Sequence, residues 1–522
     1  MKHDGQVHDP LGGAAYVFQK ELAKPLLRYL GVVPPTESFP PPELARLQVQ
    51  KAASNAEDTR LGVYSFPDVD SAISLPVERS SATVVLHIGA QPNNSPHAGT
   101  IVTFATAFLL AQRLQDEYRD LRARALASPS ATSATPAGSP EWVDDFRVIV
   151  QLDLVDTAPD SSKTYTQDGI TYQRSHRSTG AMNEFLQDYH DLLGELADYT
   201  NHEVSYRVEY QEDLMRSSAM RDALRSIILD RQRIEKEISP RTEKLAIRCA
   251  CPVEGCGWAD KHGIKNEYII TDDATLIVFQ CPEHGSHTLN LEDPDDRARV
   301  ELNTPLRNLA RAIVYLSQIA TDPRNHAPLA DTDPGPSPDP RPLKLPLRLT
   351  HMRVTGSDYA GFFQEQLLYR QLMLNPHLPP AARAALNRVG PAPIVYAPLI
   401  QDWSGAKLSK SLYVKEGAYA YLDALSRTLL AYRAMVRAGV DRRALFDVVR
   451  GWVAQPKRLH RPYSVEYVRR RLLEAQAGGR AGSGRGWQRV VQLGRRRWPL
   501  VLSHVAVAAA GFAWGCKFTG WL

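Results

Sequence analysis

Between Ala82 and Ile238 the chain alternates short apolar runs with helix-period stretches, and that alternation restricts it to a few architectures. The first run is ATVVLHIGA, and PNNSPHAGT (Pro92 to Thr100) follows directly. The two prolines and two asparagines in that segment can only turn the chain. Ile101, Phe104, Phe108 and Leu109 then recur on one helical face, before the polar stretch QRLQDEYRD. The order repeats as strand FRVIVQLDLVD (146–156), a loop and helix AMNEFLQDYHDLLGELADY. It repeats again as strand VSYRVEY (204–210) and one long amphipathic helix, DLMRSSAMRDALRSIILDRQRIEKEI. Such alternation predicts an α/β fold with a parallel sheet, in which ligands bind beyond the carboxyl ends of the strands. PNNSPHAGT and DLVDTAPD, each placed just past a strand, are expected on one rim.

At the head of the first helix, His97 and Gly99 can be read in two ways. Helix-end N–H groups and the helix dipole favour an anion there, and glycine lets a ligand approach the backbone. The plainer alternative is a capped helix with a surface histidine.

The cysteines add a second constraint. Of five, four fall between residues 249 and 281, which points to a metal and a reducing compartment rather than to a disulfide framework. Cys251 and Cys256 in RCACPVEGCGW, with Cys281 and His284 in FQCPEHGSH, form two knuckles suited to tetrahedral zinc. Cys249 or His287 could replace one of them. The set has no evident open position, so the expected zinc is structural.

Charge is unevenly spread. Between Arg427 and Arg497 there are 18 basic residues against four acidic, which leaves 44 basic and 54 acidic in the remainder. A basic C-terminal segment on an acidic body suggests an anionic partner, RNA or a membrane surface; a solvated arginine-rich helix pair is the bland reading. The start, MKHDGQVHDPLGG, has no apolar core of the signal-peptide kind, and the expected location is the cytoplasm. RRRWPLVLSHVAVAAAGFAWGCKFTGWL is largely apolar over residues 498–516. It reads either as a membrane contact or as a helix packed on the body.

Far downstream, PIVYAPLIQDWSGAKLSKSLYV carries Lys407 and Lys410 in a glycine-flanked loop, where flexible ammonium groups suit a polyphosphate. Paired with the strand–turn–HxG–helix, this resembles the class I aminoacyl-tRNA synthetases: PNNSPHAGT looks like their HIGH motif and KLSKS like their KMSKS loop. From about residue 80 to 415 the order of segments is most similar to class I lysyl-tRNA synthetase, including the Cys/His insertion, NTPLRNLARAIVYL and VTGSDYAGFFQEQ. The resemblance implies a Rossmann-like catalytic domain with a zinc insertion and a helical C-terminal region. It further implies that Asn94, His97, Gly99, Thr100, Gly356, Asp358, Lys407 and Lys410 line a site for a nucleotide or a tRNA 3′ end.

The chain departs from a synthetase in three respects. Asn94 stands where the HIGH motif usually has glycine, Thr100 stands at its last position in place of histidine, and only about 107 residues follow Lys415, less than a large helical anticodon-binding domain needs. A synthetase fold without its anticodon reader resembles the fungal arginine-containing cyclodipeptide synthases, which join two aminoacyl groups from charged tRNAs into a diketopiperazine. That family's acidic motif has its nearest match in Asp156 to Asp160, with Thr157 in place of the second acid. Asp153, Asp156 and Asp160, expected beyond one strand end, are the candidate catalytic carboxylates for deprotonating or orienting a substrate amine. The leading expectation is thus a tRNA-dependent cyclodipeptide synthase acting on aminoacyl-tRNA, arginine included. The alternatives are an ATP-dependent lysyl-tRNA synthetase-like ligase, which alone would need ATP, and a non-catalytic tRNA-binding paralogue. The expected divisions are an extension (1–80), the two halves of the catalytic domain (81–245 and 301–415) around the zinc insertion (246–300), a basic helical region (416–475), and a Gly/Arg linker with an apolar tail (476–522).

Overall fold

The computed structural model describes residues 21–34, 81–127, 142–157, 159–180, 183–326, 343, 346–408, 419, 421–459 and 461–478. Lys410, nearly all of the Gly/Arg linker, the tail 498–516, most of the extension and residues 128–141 and 327–342 lie outside them. Among the described residues, no helix is long and apolar enough to cross a membrane. The chain divides into two compact units, one of residues 1–93, 103–398 and 449–461, the other of 94–102, 399–448 and 462–522.

The first unit is built on five parallel strands: β1 (Ser81–Ala90), β2 (Asp145–Leu154), β3 (Ser205–Tyr210), β4 (Leu349–Gly356) and β5 (Ile394–Ala397). Their spatial order is β5-β4-β1-β2-β3, the doubly wound order, with its switch point between β1 and β4. The helices are α1 (Ala98–Leu126), α2 (Asn183–Tyr199), α3 (Ser218–Leu229), α4 (Thr304–Thr321) and α5 (Pro380–Val389).

The two faces of this sheet differ in kind. One carries Val84, Leu86, Ile88, Val148, Val150 and Leu152, all buried. On that side the rings of Phe104 and Phe108 of α1 meet Tyr189 and Tyr206 at 6.1 and 6.0 Å. The other face is polar. The register sets Arg353, His87, Gln151 and Arg207 in one row across β4, β1, β2 and β3, and Gly89, Asp153 and Glu209 in the next. Helix α4 covers this face with Arg311 and Tyr315.

Three local expectations change. The long helix predicted from Asp213 is three: Gln211–Arg216, α3 and Arg231–Ile238. Ser217 is extended and its side chain caps α3 by accepting from the Met220 amide, so the chain breaks there. The loop after β2 is largely an antiparallel hairpin, Pro159–Gln167 with Ile170–Ser175. Its turn, Asp168-Gly169, has φ of 51° and 76°, the two positive values that a tight hairpin needs. Within the extension, helix Ala23–Tyr29 buries Leu26 and Leu27, and the Gly31 carbonyl accepts from the Leu347 amide at 2.7 Å.

One side chain fixes where β4 begins. Asn325, fully buried, donates to the carbonyls of Ile319 and Leu349 at 2.8 and 2.9 Å. Its oxygen accepts from the amides of Arg348 and Leu349 at 2.6 and 3.0 Å. All its hydrogen-bonding capacity thus ties the end of α4 to the start of β4 across residues 327–342. Replacing it strands several buried backbone groups at about 1–3 kcal/mol each. Asn325→Ala is expected to lower the unfolding free energy in urea by about 3 kcal/mol, and a loss below about 1 kcal/mol would show that the latch is unimportant.

Candidate functional site

The polar face of the sheet closes around Asp153. Tyr315 Oη donates to Asp153 Oδ2 at 3.1 Å, Gln151 Nε2 donates to Oδ1 at 2.9 Å, and Arg311 Nη1 lies 3.3 Å from Oδ2. His87 Nδ1 is 3.3 Å from Oδ1, and His87 Nε2 is 3.0 Å from His351 Nδ1. Burial alone would raise the Asp153 pKa, but the positive charge of Arg311 and the contacts of His87 and Gln151 outweigh it and hold the carboxyl well below its usual range. Burial lowers the pKa of both His87 and His351, keeping them neutral. One proton arrangement then satisfies the chain, with His351 Nδ1–H donating to His87 Nε2 and His87 Nδ1–H donating to Asp153.

Beside this centre sits a different carboxyl. Gln151 Nε2 also donates to Glu209 Oε2 at 2.7 Å, while Gln151 Oε1 accepts from Arg207 Nε at 2.6 Å. Burial, with the neighbouring charge of Asp153, pushes Glu209 up to about 7. Glu209 is only partly buried, and Gly89 in the same row is exposed, so the face opens at the carboxyl ends of β1 and β3. A carboxyl that ionises near neutrality at the mouth of a sheet can take and return a proton.

The three expected acids take separate places. Asp153 lies within β2, not beyond it, and is buried in the network above. Asp156 is buried just past β2 and accepts two bonds from Arg177, at 2.7 and 2.8 Å. Arg177 also donates to the Ala298 carbonyl at 2.6 Å. Asp160, half-buried, belongs to the hairpin, where its carbonyl accepts from Thr164 Oγ1 at 3.5 Å. Gly356 ends β4, and Asp358 is exposed in the short helix that follows. Glu209 is not among the site residues expected from the sequence, although the spacing of Arg207 and Glu209 in VSYRVEY is a sign of a polar face.

The second unit holds the HxG turn. His97 is 8% exposed, and its Nδ1 accepts from the Thr100 amide at 3.1 Å, so the ring caps α1 and carries its proton on Nε2 when neutral. A Cβ at Gly99 would stand 2.8 Å from His97 Cε1, so the glycine first makes room for this ring. Asn94 has no left-handed backbone. The turn is fastened by Leu429, whose carbonyl accepts from the Ala98 amide at 2.8 Å. The Arg433 amide donates to Ser95 Oγ at 3.1 Å. Lys407 is exposed and bridges Gln401.

The metal expectation matches the geometry. Ligand atoms of Cys251, Cys256, Cys281 and His284 all lie within 4.8 Å of one another. Three soft thiolates and an imidazole so close suit tetrahedral zinc, and Trp258, whose Nε1 donates to Glu283 at 3.1 Å, packs against the group. Neither alternative ligand reaches it. Cys249 is strand-paired with Val300, buried among apolar side chains, and pushed up to about 12 by burial. His287 stacks on Phe279 instead. The insertion closes on itself where Ile247–Cys249 pairs with Val300–Leu302, and Ala259–Asp260 adds a strand to the hairpin.

No protein-family model and no curated protein matches this chain. Among solved structures it is similar to Thermus thermophilus arginyl-tRNA synthetase, at 13% identity and a TM-score of 0.25, over 81% of this chain and 64% of that one. It is also similar to a putative arginyl tRNA synthetase from Campylobacter jejuni, at 10% identity and a TM-score of 0.21, over 85% and 92%. The chain thus spans just under two thirds of the Thermus enzyme.

Two measurements check these assignments. Purified protein is expected to carry one zinc per chain by elemental analysis, and Cys256→Ser is expected to lose it and to expose residues 246–300 to proteolysis; full metal retention would exclude this ligand set. Glu209, raised from 4.5 to about 7, binds a proton in the folded chain that the unfolded chain has released. Its contribution therefore favours folding below about pH 4.5 and is lost as pH rises to about 7. Stability in urea should fall over that interval by more in the wild type than in Glu209→Gln, and equal slopes would refute the raised pKa.

Proposed function

We propose that this protein joins two tRNA-borne aminoacyl groups into a cyclic dipeptide, with Glu209 as the general base. The observation that carries the reading is a partly open carboxyl with a pKa near 7 at the carboxyl end of a doubly wound sheet. An α-ammonium of pKa about 7.7–8.0 must lose a proton before it can attack an ester, and a base near neutrality matches that task. Activation of an amino acid by ATP needs no such base.

In this mechanism the Glu209 carboxylate takes a proton from the ammonium of one aminoacyl ester. The freed amine attacks the carbonyl of a second, the C–O bond to the ribose breaks, Glu209 returns the proton to the departing hydroxyl, and the second nitrogen proton passes to solvent as the amide forms. A second round within the dipeptidyl ester closes the ring. Two ester bonds are exchanged for two amide bonds, and two uncharged tRNAs leave. Asp153, locked by Arg311 and Tyr315, acts as a positioning charge rather than as a base. Asp156 holds the rim through Arg177, and Asp160 stands on the adjoining hairpin. Arginines on helix Val465–Gly478, Arg470 and Arg471 among them, would meet tRNA phosphates.

A second reading is an ATP-dependent aminoacyl ligase. It is favoured by His97 at the N-terminus of α1, a helix end that suits a phosphate, and by exposed Lys407.

The test is incubation with pre-charged aminoacyl-tRNAs without ATP, followed by mass spectrometry. The proposal expects a diketopiperazine, formed at least 100-fold more slowly by Glu209→Gln, with the wild-type rate rising through an apparent pKa near 7. No product, together with amino-acid-dependent pyrophosphate exchange when ATP is supplied, would replace it with the ligase reading.

A further inference from the structure

Three arginines occupy ground that a parallel sheet normally gives to apolar side chains. Arg307 and Arg311 stand one turn apart on α4, 7% and 3% exposed, and Arg353 is on β4. Arg311 has Asp153 as its counter-ion. Among the described residues, no carboxylate lies within ion-pair distance of the other two. Arg307 donates to the Leu302 carbonyl and Thr304 Oγ1, each at 3.2 Å, and Arg353 donates to Asn308 Oδ1 at 2.7 Å. These acceptors are all neutral. Like charges four residues apart on a helix repel, and a buried guanidinium without a counter-charge is costly. Burial and the nearby charges of Arg311 and Arg353 push Arg307 down to about 9. Arg311 Nε is also buried without a hydrogen-bond partner.

The cluster is reachable. Arg353 is only partly buried, and it lies beside exposed Gly89, where a Cβ would come 3.9 Å from its Nη2. The absent side chain leaves the guanidinium open to the rim at the switch point between β1 and β4. We propose that Arg353, with Arg307 adding to the local positive charge, binds an oxyanion, a carboxylate or a phosphate, beside Gly89. This subsite rests on the aminoacyl-transfer reading for its two sources: the side-chain carboxylate of an acidic aminoacyl group, or a phosphate of the tRNA 3′ end.

Isothermal titration of the full zinc-loaded chain with L-glutamate, pyrophosphate and L-arginine, at fixed ionic strength, tests it without tRNA. At least one of the two anions should bind, at least tenfold more weakly to Arg353→Met, with part of the affinity retained in Arg353→Lys. Gly89→Val, which fills the approach without removing a charge, should also abolish binding and serves if Arg353→Met does not fold. Binding of glutamate alone assigns the carboxylate source, pyrophosphate alone the phosphate source, and both together the shared oxyanion chemistry. The proposal is overturned if neither anion binds, if Arg353→Met and Gly89→Val bind as the wild type does, or if arginine binds more tightly than both anions. Dipeptide formation from charged tRNA is read in a separate assay, so anion binding and the transfer reaction fail independently.

Discussion

The charge on Asp153 organises everything on the polar face of the sheet. It is fully buried, and it is stable there because Arg311, Tyr315, Gln151 and His87 converge on its two oxygens. Removing it would leave Arg311 buried beside Arg307 with no acid, and would cut the bond from Gln151 to Asp153 that steadies the amide holding Glu209. Its field also works outward. The same charge that holds α4 to β2 disfavours a second negative charge one strand away, which helps keep Glu209 protonated up to near neutrality. A structural ion pair thus tunes the partly exposed carboxyl beside it.

A second buried junction connects this sheet to the zinc insertion. Asp156 grips Arg177, the Ser175 hydroxyl donates to Glu301 at 2.6 Å, and Glu301 faces Arg248 at 3.7 Å. Arg248 in turn donates to the Thr157 carbonyl at 3.4 Å. The acidic segment after β2 is therefore pinned by residues at both ends of the insertion. A metal ion held by the Cys/His cluster would thereby reach the rim, since folding of the insertion sets the positions of Arg248 and Glu301.

Much of this was legible in the amino-acid order, and the limits have physical causes. The apolar runs VVLHIG and VIVQLDL announced strands, and the knuckle spacing of Cys251, Cys256, Cys281 and His284 announced a metal group. Spacing could not exclude Cys249, because its exclusion depends on a strand pairing with Val300, fifty-one residues away. The break at Ser217 was hidden by apolar residues that keep helical phase across it. The acids were read as loop residues, yet alternation within VIVQLDL and SYRVEY places Gln151, Asp153, Arg207 and Glu209 on one face of adjacent strands. Which of those carboxyls is free and which is locked depends on Arg311 and Tyr315, about 160 residues downstream, and no local pattern carries that information.

On this face it is Glu209, not Asp153, whose protonation changes near neutral pH. Infrared difference spectroscopy of the carboxyl C=O stretch, wild type against Glu209→Gln over pH 4 to 9, measures it directly. The account predicts a band that disappears with a midpoint of about 7 and is missing from Glu209→Gln. A midpoint near 4.5, or a neutral-range band that persists in Glu209→Gln, would contradict it.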